Sequence, residues 1–315
     1  MTPRRFTAEQ IRSARPSRQQ LDPWRPYAFL SEPECGPDGA VEDVATIFLT
    51  NRECPFQCLM CDLWKNTLTK SVPVGAIPAQ IDYALERLPK TRIIKLYNSG
   101  NFFDPQAIPP PDYPAIAQRL RSFQTVIVEN HPRLCGPRIL QLRDLLAAET
   151  ELEIAMGLET VHPKVLPALN KRMTLEDFAQ AAKYLRSEDI HLRTFILLRP
   201  PFLSEEAGVE WAVKGLEFAF ECGVRVAAVI PTRGGNGIME DLSAQGEFAP
   251  PRLESLEAVL DAGLALDQGR VFVDLWDIEK LIACPRCATL RIERLRTINL
   301  TRKPQAAICC DHCGT

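Results

Sequence analysis

The sequence predicts an α/β fold in which parallel strands alternate with helices. Six short apolar segments, rich in β-branched residues, have the pattern of buried strands, and segments with helical spacing of apolar residues separate them. Most polar residues that could bind a ligand follow directly after a strand, at the edge where β/α barrels have their active sites. The predicted strands are residues 44–50, 92–97, 124–128, 152–158, 192–198 and 224–230, with a short seventh at 272–274, and the predicted helices are 78–88, 138–147, one that begins after Thr174, and 204–221.

The composition indicates a globular protein without a general attraction to nucleic acid. Hydrophobic residues make up 46% of the 315 residues, charged residues 24%, and the formal net charge is −3. We expect no membrane span and no signal peptide, since long apolar runs are missing from the sequence. The 11 cysteines are grouped as metal sites rather than spread as a disulfide framework, which predicts a reducing cytoplasm.

Three cysteines follow the first predicted strand with the spacing C-x-x-x-C-x-x-C: Cys54, Cys58 and Cys61. Three thiolates can hold three corners of a [4Fe–4S] cluster and leave the fourth iron open, whereas most iron–sulfur proteins supply four cysteines. The open iron would then bind something else. The alternative interpretation is a structural metal knuckle completed by residues elsewhere in the chain.

Polar residues end the other strands. Asn98, Ser99 and Gly100 follow the second strand, and residues this small let backbone groups approach a ligand closely. Glu129 and His131 follow the third strand, and at such a place a histidine is either an acid or base or a simple hydrogen-bonding residue. The later strands end at Glu159, at Arg199 and, beside a glycine-rich loop, at Thr232.

The cysteine motif and its strand context resemble the radical S-adenosylmethionine (SAM) superfamily. The resemblance implies a partial (β/α)6 TIM-like barrel, which agrees with the six predicted strands. It also implies that the open iron chelates the amino and carboxylate groups of SAM. An electron from an external donor then splits SAM into methionine and a 5′-deoxyadenosyl radical, which abstracts hydrogen from a substrate.

The same resemblance assigns roles to the strand-end residues. Asn98, Ser99 and Gly100 are expected beside the SAM amino group. Glu159 is expected to accept hydrogen bonds from the ribose, as the acidic residue of a dinucleotide fold does. Arg199 is assigned to the cofactor as well, and Thr232 is placed near the adenine or the substrate.

Longer segments resemble the archaeosine-biosynthesis radical SAM (RaSEA-like) family. That family cleaves a lysine adduct on a 7-deazaguanine base of tRNA and works with a partner synthase that supplies the substrate. The glycine-rich loop and the tail of this chain differ from the family's. A tRNA base is therefore one candidate substrate beside a small nucleoside-like molecule or a peptide, and Glu129 and His131 are the catalytic candidates. The segments are residues 98–105, 128–132, 157–160, 169–174 and 197–203.

An N-terminal arm, residues 1–43, precedes the predicted barrel core of residues 44–275. The arm is rich in arginine and proline. It either contacts an RNA backbone or wraps over the barrel with Trp24 and Tyr27 packed and its arginines solvated.

A cysteine-rich, metal-binding tail, residues 276–315, follows the core. Cys284 and Cys287 form one C-x-x-C pair, and Cys310 and Cys313 form another. Paired knuckles of this spacing fit zinc or an auxiliary iron–sulfur cluster. A basic linker between the pairs is the best candidate for a nucleic-acid contact. The competing hypothesis for the whole chain is a nucleic-acid-binding or scaffold protein whose cysteines hold structural metal only.

Overall fold

A computed structural model of the protein describes residues 3–314, and in this range eight strands form one sheet that curls into a half-barrel. Neighbours in the sheet follow chain order, β1 pairs with β2 antiparallel, and each later pair is parallel. This confirms the predicted α/β half-barrel. The strands are β1 Ala28–Cys35, β2 Val41–Phe48, β3 Ile93–Tyr97, β4 Thr125–Glu129, β5 Glu151–Glu159, β6 His191–Leu198, β7 Val226–Pro231 and β8 Arg270–Val273.

Strand β1 lies within the segment that the sequence indicated as an arm. It forms a hairpin with β2, closed by a hydrogen bond of 2.7 Å from the amide of Gly36 to the carbonyl of Ala40. The strand contains Pro33, which cannot donate to a neighbour and is tolerated because β1 lies at the edge of the sheet. The first 43 residues therefore contribute a strand to the half-barrel as well as an extended segment.

Helices cover the outer face of the sheet. The predicted start of a helix after Thr174 is confirmed: Thr174 caps the sixth helix, and Thr174 and Asp177 exchange side-chain to backbone hydrogen bonds of 3.1 and 2.8 Å. Among the helices of residues 3–314, none combines the length and apolarity needed to cross a membrane. The helices are α1 Ala8–Ser13, α2 Ala76–Leu85, α3 Tyr113–Leu120, α4 Pro137–Arg143, α5 Val165–Ala168, α6 Leu175–Ser187, α7 Glu205–Glu221, α8 Ile238–Ala244, α9 Leu253–Leu266 and α10 Pro285–Thr301.

The two faces of the sheet have different chemistry because side chains alternate along each strand. On β3, Ile94 and Leu96 are buried in the main hydrophobic core against the helices, whereas Lys95 and Tyr97 line the interior of the half-barrel. On β6, Ile196 belongs to that core and Arg193 faces the interior. The interior is thus a partly polar cavity rather than a packed apolar core.

Ion pairs cross the floor of this interior. The carboxylate of Glu34 on β1 lies 2.6 Å from Lys95 on β3 and 2.6 Å from Arg193 on β6. Arg193 also lies 2.5 Å from Glu153 on β5. Burial by itself raises the pKa of Glu34, but Arg193 and Lys95 outweigh it and hold that pKa well below its ordinary value. The network ties β1 to strands that it does not pair with.

Replacing Glu34 with glutamine should destabilise the fold because Lys95 and Arg193 would lose a buried counter-charge. We expect the free energy of unfolding at pH 7 to fall by about 3 kcal/mol, measured by urea denaturation. The pKa of Glu34 is lower in the folded state than its ordinary value of 4.5. The carboxylate therefore contributes to stability at pH values above 4.5, and this contribution disappears as the pH falls. The difference between wild type and Glu34→Gln should therefore shrink below that pH.

Glu42→Gln is the matched control on the same hairpin. Its partner Arg92 has a side chain that is 62% exposed, so the loss should be below about 1 kcal/mol. Equal losses for Glu34→Gln and Glu42→Gln would contradict the role of the buried network.

Candidate active site

A cavity of about 1280 Å³ occupies the half-barrel and reaches the carboxyl ends of the parallel strands. It is lined by all three cysteines of the C-x-x-x-C-x-x-C motif, Cys54, Cys58 and Cys61. Sequence-predicted residues from four different strand ends line it with them. These are Ser99, Gly100, Glu129, His131, Glu159 and Thr232.

The cysteine loop leaves β2 and is fixed by contacts from distant parts of the chain. The amide of Leu59 donates to the carbonyl of Leu169 over 2.8 Å, and the Asn236 side chain donates to the carbonyl of Leu59 over 2.7 Å. Gly100 lies against the loop, since a Cβ atom there would be 3.3 Å from Cβ of Cys54. The loop is therefore held in one conformation against the strand end that follows β3.

The three cysteines are half-buried, and desolvation of their thiols raises the pKa of each to about 12. A bound cation would have to replace the thiol protons, as metal ligation to cysteine generally does. Two polar groups face the sulfurs: Asn101 donates its side-chain amide to Sγ of Cys54 over 3.1 Å, and the ammonium of Lys171 favours the charged form of Cys54 and Cys58. These groups suit a metal centre that the three cysteines would bind as thiolates.

Glu129 supports the loop that follows β3. Its carboxylate accepts the backbone N–H groups of Asn98 and, over 3.3 Å, Gly100. Burial raises the pKa of Glu129 to about 7, although these backbone hydrogen bonds act in the opposite direction. Asn98 itself lies behind the cavity wall, where its side chain donates to Asn51 over 3.0 Å, and Ser99 shares a hydrogen bond of 2.8 Å with the hydroxyl of Tyr27. The catalytic assignment of Glu129 remains a prediction.

Both ring nitrogens of His131 are occupied. Nε2 donates to the carbonyl of Lys171 over 3.0 Å, and Nδ1 accepts the N–H of Arg133 over 3.2 Å. The ring stacks on Phe56 of the cysteine loop with centroids 3.7 Å apart. Burial lowers the pKa of His131 to about 3, so the ring is neutral. This geometry favours the simple hydrogen-bonding role over acid–base chemistry.

Glu159 and Lys171 form a buried ion pair of 2.7 Å at the end of β5. The pair lies over the backbone of Gly157, where a Cβ atom would collide with Glu159 and come within 2.7 Å of the Lys171 ammonium. Glu159 has a φ of +67°, at an irregularity in the β5–β6 register. Sequence reasoning assigned no role to Lys171, although it lies in the segment 169–174 that carried the family resemblance.

The two remaining cofactor candidates have different positions. Thr232 is buried in the cavity wall and donates its hydroxyl to the carbonyl of Leu198 over 2.8 Å. Arg199 lies outside the residues that line the cavity, and its guanidinium lies 2.6 Å from Glu205 and 2.8 Å from the carbonyl of Pro250. The geometry therefore brings Thr232, but not Arg199, to the predicted site.

The N-terminal segment lies on the barrel beside the cysteine loop. Arg15 and Arg18 form ion pairs with Glu53, and their guanidinium groups lie over the ring of Trp64. Their charges are therefore paired rather than solvated. Tyr27 is packed as expected for a wrapping segment, whereas Trp24 is 47% exposed.

The tail corrects one sequence prediction. The segment interpreted as a basic linker is helix α10, in which Arg291 and Arg294 are buried and form ion pairs with Glu257 and Asp261 of α9. The predicted nucleic-acid contact is wrong for these two arginines, because their charges are neutralised inside the protein. The four tail cysteines do come together, with their sulfurs within 4.8 Å of one another.

Comparison with known proteins decides the family. Residues 48–207 match the family model of the Radical SAM superfamily. The chain belongs to this superfamily. The predicted family and enzyme class are thereby confirmed.

Two relatives and two solved structures extend the comparison. The archaeosine synthase subunit beta of Methanosarcina acetivorans is 24% identical over 78% of this chain and 74% of its own length. That of Thermococcus kodakarensis is 28% identical over 64% of this chain and 65% of its own. Elp3 of Methanocaldococcus infernus has the same fold, with a TM-score of 0.51, 16% identity and coverage of 71% of this chain and 58% of its own. Streptococcus suis SuiB bound to S-adenosylmethionine has a TM-score of 0.50 at 12% identity, over 71% of this chain and 49% of its own.

Membership of the radical SAM superfamily implies a [4Fe–4S] cluster and SAM, and the residues of this chain fit both. The motif supplies three thiols on one fixed loop, with an amide donor at one sulfur and a cation nearby. Beside them the cavity offers a carboxylate, a hydroxyl and exposed backbone groups at strand ends. This is the arrangement that a small polar cofactor requires.

Replacing Glu129 with glutamine should stabilise the enzyme without cofactors at alkaline pH. Because burial raises the pKa of Glu129 from 4.5 to about 7, ionising it in the folded state costs stability as the pH rises through that window. At pH 8 we expect the free energy of unfolding of Glu129→Gln to exceed that of the wild type by up to about 3 kcal/mol. At pH 4 the two free energies of unfolding should be equal.

Urea denaturation at the two pH values provides the measurement, and the exposed Glu149→Gln is the control for loss of a carboxylate in general. A difference that does not change between pH 4 and pH 8 would show that Glu129 has no raised pKa.

Proposed function

We propose that this radical SAM enzyme binds a [4Fe–4S] cluster through Cys54, Cys58 and Cys61 and uses it to cleave SAM reductively. The observation that carries the proposal is that these three thiols line the same cavity as the polar strand ends. A reduced cluster of this kind supplies the electron that produces the 5′-deoxyadenosyl radical from SAM. Three protein ligands leave one coordination position for the substrate of that step.

The residues of the chain bind and orient the cofactor. Ser99 presents its small side chain to the amino group of SAM, Gly100 presents its backbone, and Glu129 fixes their loop by accepting its N–H groups. Glu159, oriented by Lys171, accepts hydrogen bonds from the ribose hydroxyls. The wall beside Thr232 encloses the adenine or the substrate. Phe48, Phe195 and Ile230 give the cavity apolar surface that keeps water from a reactive radical.

The proposed substrate is a modified base in tRNA. The names of the two archaeosine synthase relatives support this choice, and their designation as subunit beta supports a partner enzyme that supplies the substrate. An external donor provides the electron. All eleven cysteines lie in the described part of the chain without a disulfide, which fits a reducing cytoplasm.

A structural metal protein is the alternative that the experiment must separate from an enzyme. Such a protein would retain its metal but would have no use for SAM. It would also tolerate changes at the strand ends, since those residues would only solvate the cavity.

Anaerobic reconstitution with iron and sulfide, followed by dithionite and SAM, should yield 5′-deoxyadenosine. We expect Cys58→Ala to lower its rate of formation by at least about a hundredfold, because one cluster ligand is lost. Glu159→Gln should weaken SAM binding by about tenfold while the iron content remains that of the wild type.

The matched control is Cys309→Ser, which changes an exposed cysteine and should leave the rate unchanged. If the intact wild-type cluster forms no 5′-deoxyadenosine with or without tRNA, and SAM does not alter its electron-spin signal, the proposed chemistry is refuted.

A further inference from the structure

Four thiols from two separate segments surround one point in the tail. Cys284 and Cys287 begin α10, and Cys310 and Cys313 lie in the segment that returns along it. The sulfurs of Cys284 and Cys310 are 4.0 Å apart, those of Cys287 and Cys313 are 3.8 Å apart, and all four lie within 4.8 Å of one another. Disulfide bonds would require sulfurs about 2 Å apart, so the four thiols are arranged as a group rather than as two bonded pairs.

This spacing fits one metal ion and excludes a second iron–sulfur cube. With a Zn–S distance of about 2.3 Å, the sulfurs of a tetrahedral site are about 3.8 Å apart. In a cube each cysteine binds a different iron atom at its own corner, which spreads the four sulfurs well beyond the 4.8 Å found here. We propose that the four tail cysteines bind a single zinc ion. Zinc is favoured over iron(II) because a set of thiolates binds it more tightly.

A buried arginine connects this group to the neighbouring helix. Nε of Arg291 donates to Sγ of Cys287 over 3.3 Å, and its guanidinium also forms an ion pair with Glu257 on α9. Arg291 further donates to the carbonyl of Ile308 over 3.1 Å, in the returning segment. Four thiolates around a divalent ion carry net negative charge, and a hydrogen-bonding cation at a sulfur offsets it.

The zinc site fixes a wall of the catalytic cavity. From its cysteine-bearing start, α10 runs along the edge of the half-barrel, and Arg296, Asn299 and Leu300 line the cavity. The side chain of Asn299 accepts the N–H of Val273 over 3.0 Å and donates to its carbonyl over 2.8 Å. Asn299 thus takes the place of a further strand at the edge of β8. Zinc acts as a clamp that holds α10 in this position.

Metal analysis of a full-length variant with Cys54, Cys58 and Cys61 all changed to serine tests the site without the proposed catalytic cluster. We expect about one zinc per chain and no inorganic sulfide. Adding Cys310→Ser should remove the zinc, while adding Cys309→Ser, a neighbouring exposed cysteine outside the group, should not.

If the serine variant contains about four iron atoms per chain together with inorganic sulfide, the proposal is overturned. It is also overturned if the tail thiols are oxidised and hold no metal. Because the variant lacks the three motif cysteines, this result is independent of whether the enzyme cleaves SAM.

Hydrogen–deuterium exchange tests the clamp on the wild-type chain and avoids variants that fail to fold. Removal of zinc with a chelator should accelerate exchange at Val273 and along α10 by at least about tenfold, and added zinc should restore protection. Strand β4, remote from the tail, is the internal control. Unchanged exchange at Val273 after zinc removal would overturn the role as a clamp.

Discussion

The structure depends on how an open half-barrel is held in its curved form. A closed barrel joins its first and last strands by hydrogen bonds, whereas here β1 and β8 are edges of one sheet. Charged contacts make the missing connection: Glu34 joins β1 to β3 and β6, and Arg270 on β8 donates to the carbonyl of Cys35 on β1 over 2.9 Å. Helix α10 packs against both edges. The width of the cavity is thus set by ion pairs, a charged hydrogen bond and one helix.

Much of the fold was predictable because the buried parallel strands are apolar on one or both faces. The sequence therefore indicated the strands from β2 to β7 from short β-branched runs. Strand β1 was missed because serine, proline and glutamates interrupt its pattern, and only its place at the sheet edge makes that composition acceptable. Helix α10 was missed for another reason: the apolar spacing of Ile292, Leu295 and Ile298 is present, but the arginines between them indicated a linker.

The residues of the candidate site were likewise predictable only in part. Local spacing identified the three motif cysteines, and strand ends identified Ser99, Gly100 and Glu159, all of which the structure brings to one cavity. Partnerships across the fold could not be predicted. Lys171 is positioned by an ion pair with Glu159. The charge of the buried Arg291 is neutralised by Glu257, which lies 34 positions before it in the chain. A sequence shows charges, but it does not show which opposite charge the fold places beside them.

The number of thiols in each cysteine group separates the roles of the two proposed metal sites. Structural sites are closed by protein ligands, whereas catalytic sites keep a coordination position open. The tail group has four thiols within 4.8 Å and leaves no position for a substrate. The motif has three cysteines, and they lie on the wall of a cavity that also presents Glu159, Lys171 and Thr232. Since α10 forms another part of that wall, the proposed closed site would influence substrate binding only by holding the helix in place, while the proposed chemistry belongs to the open site.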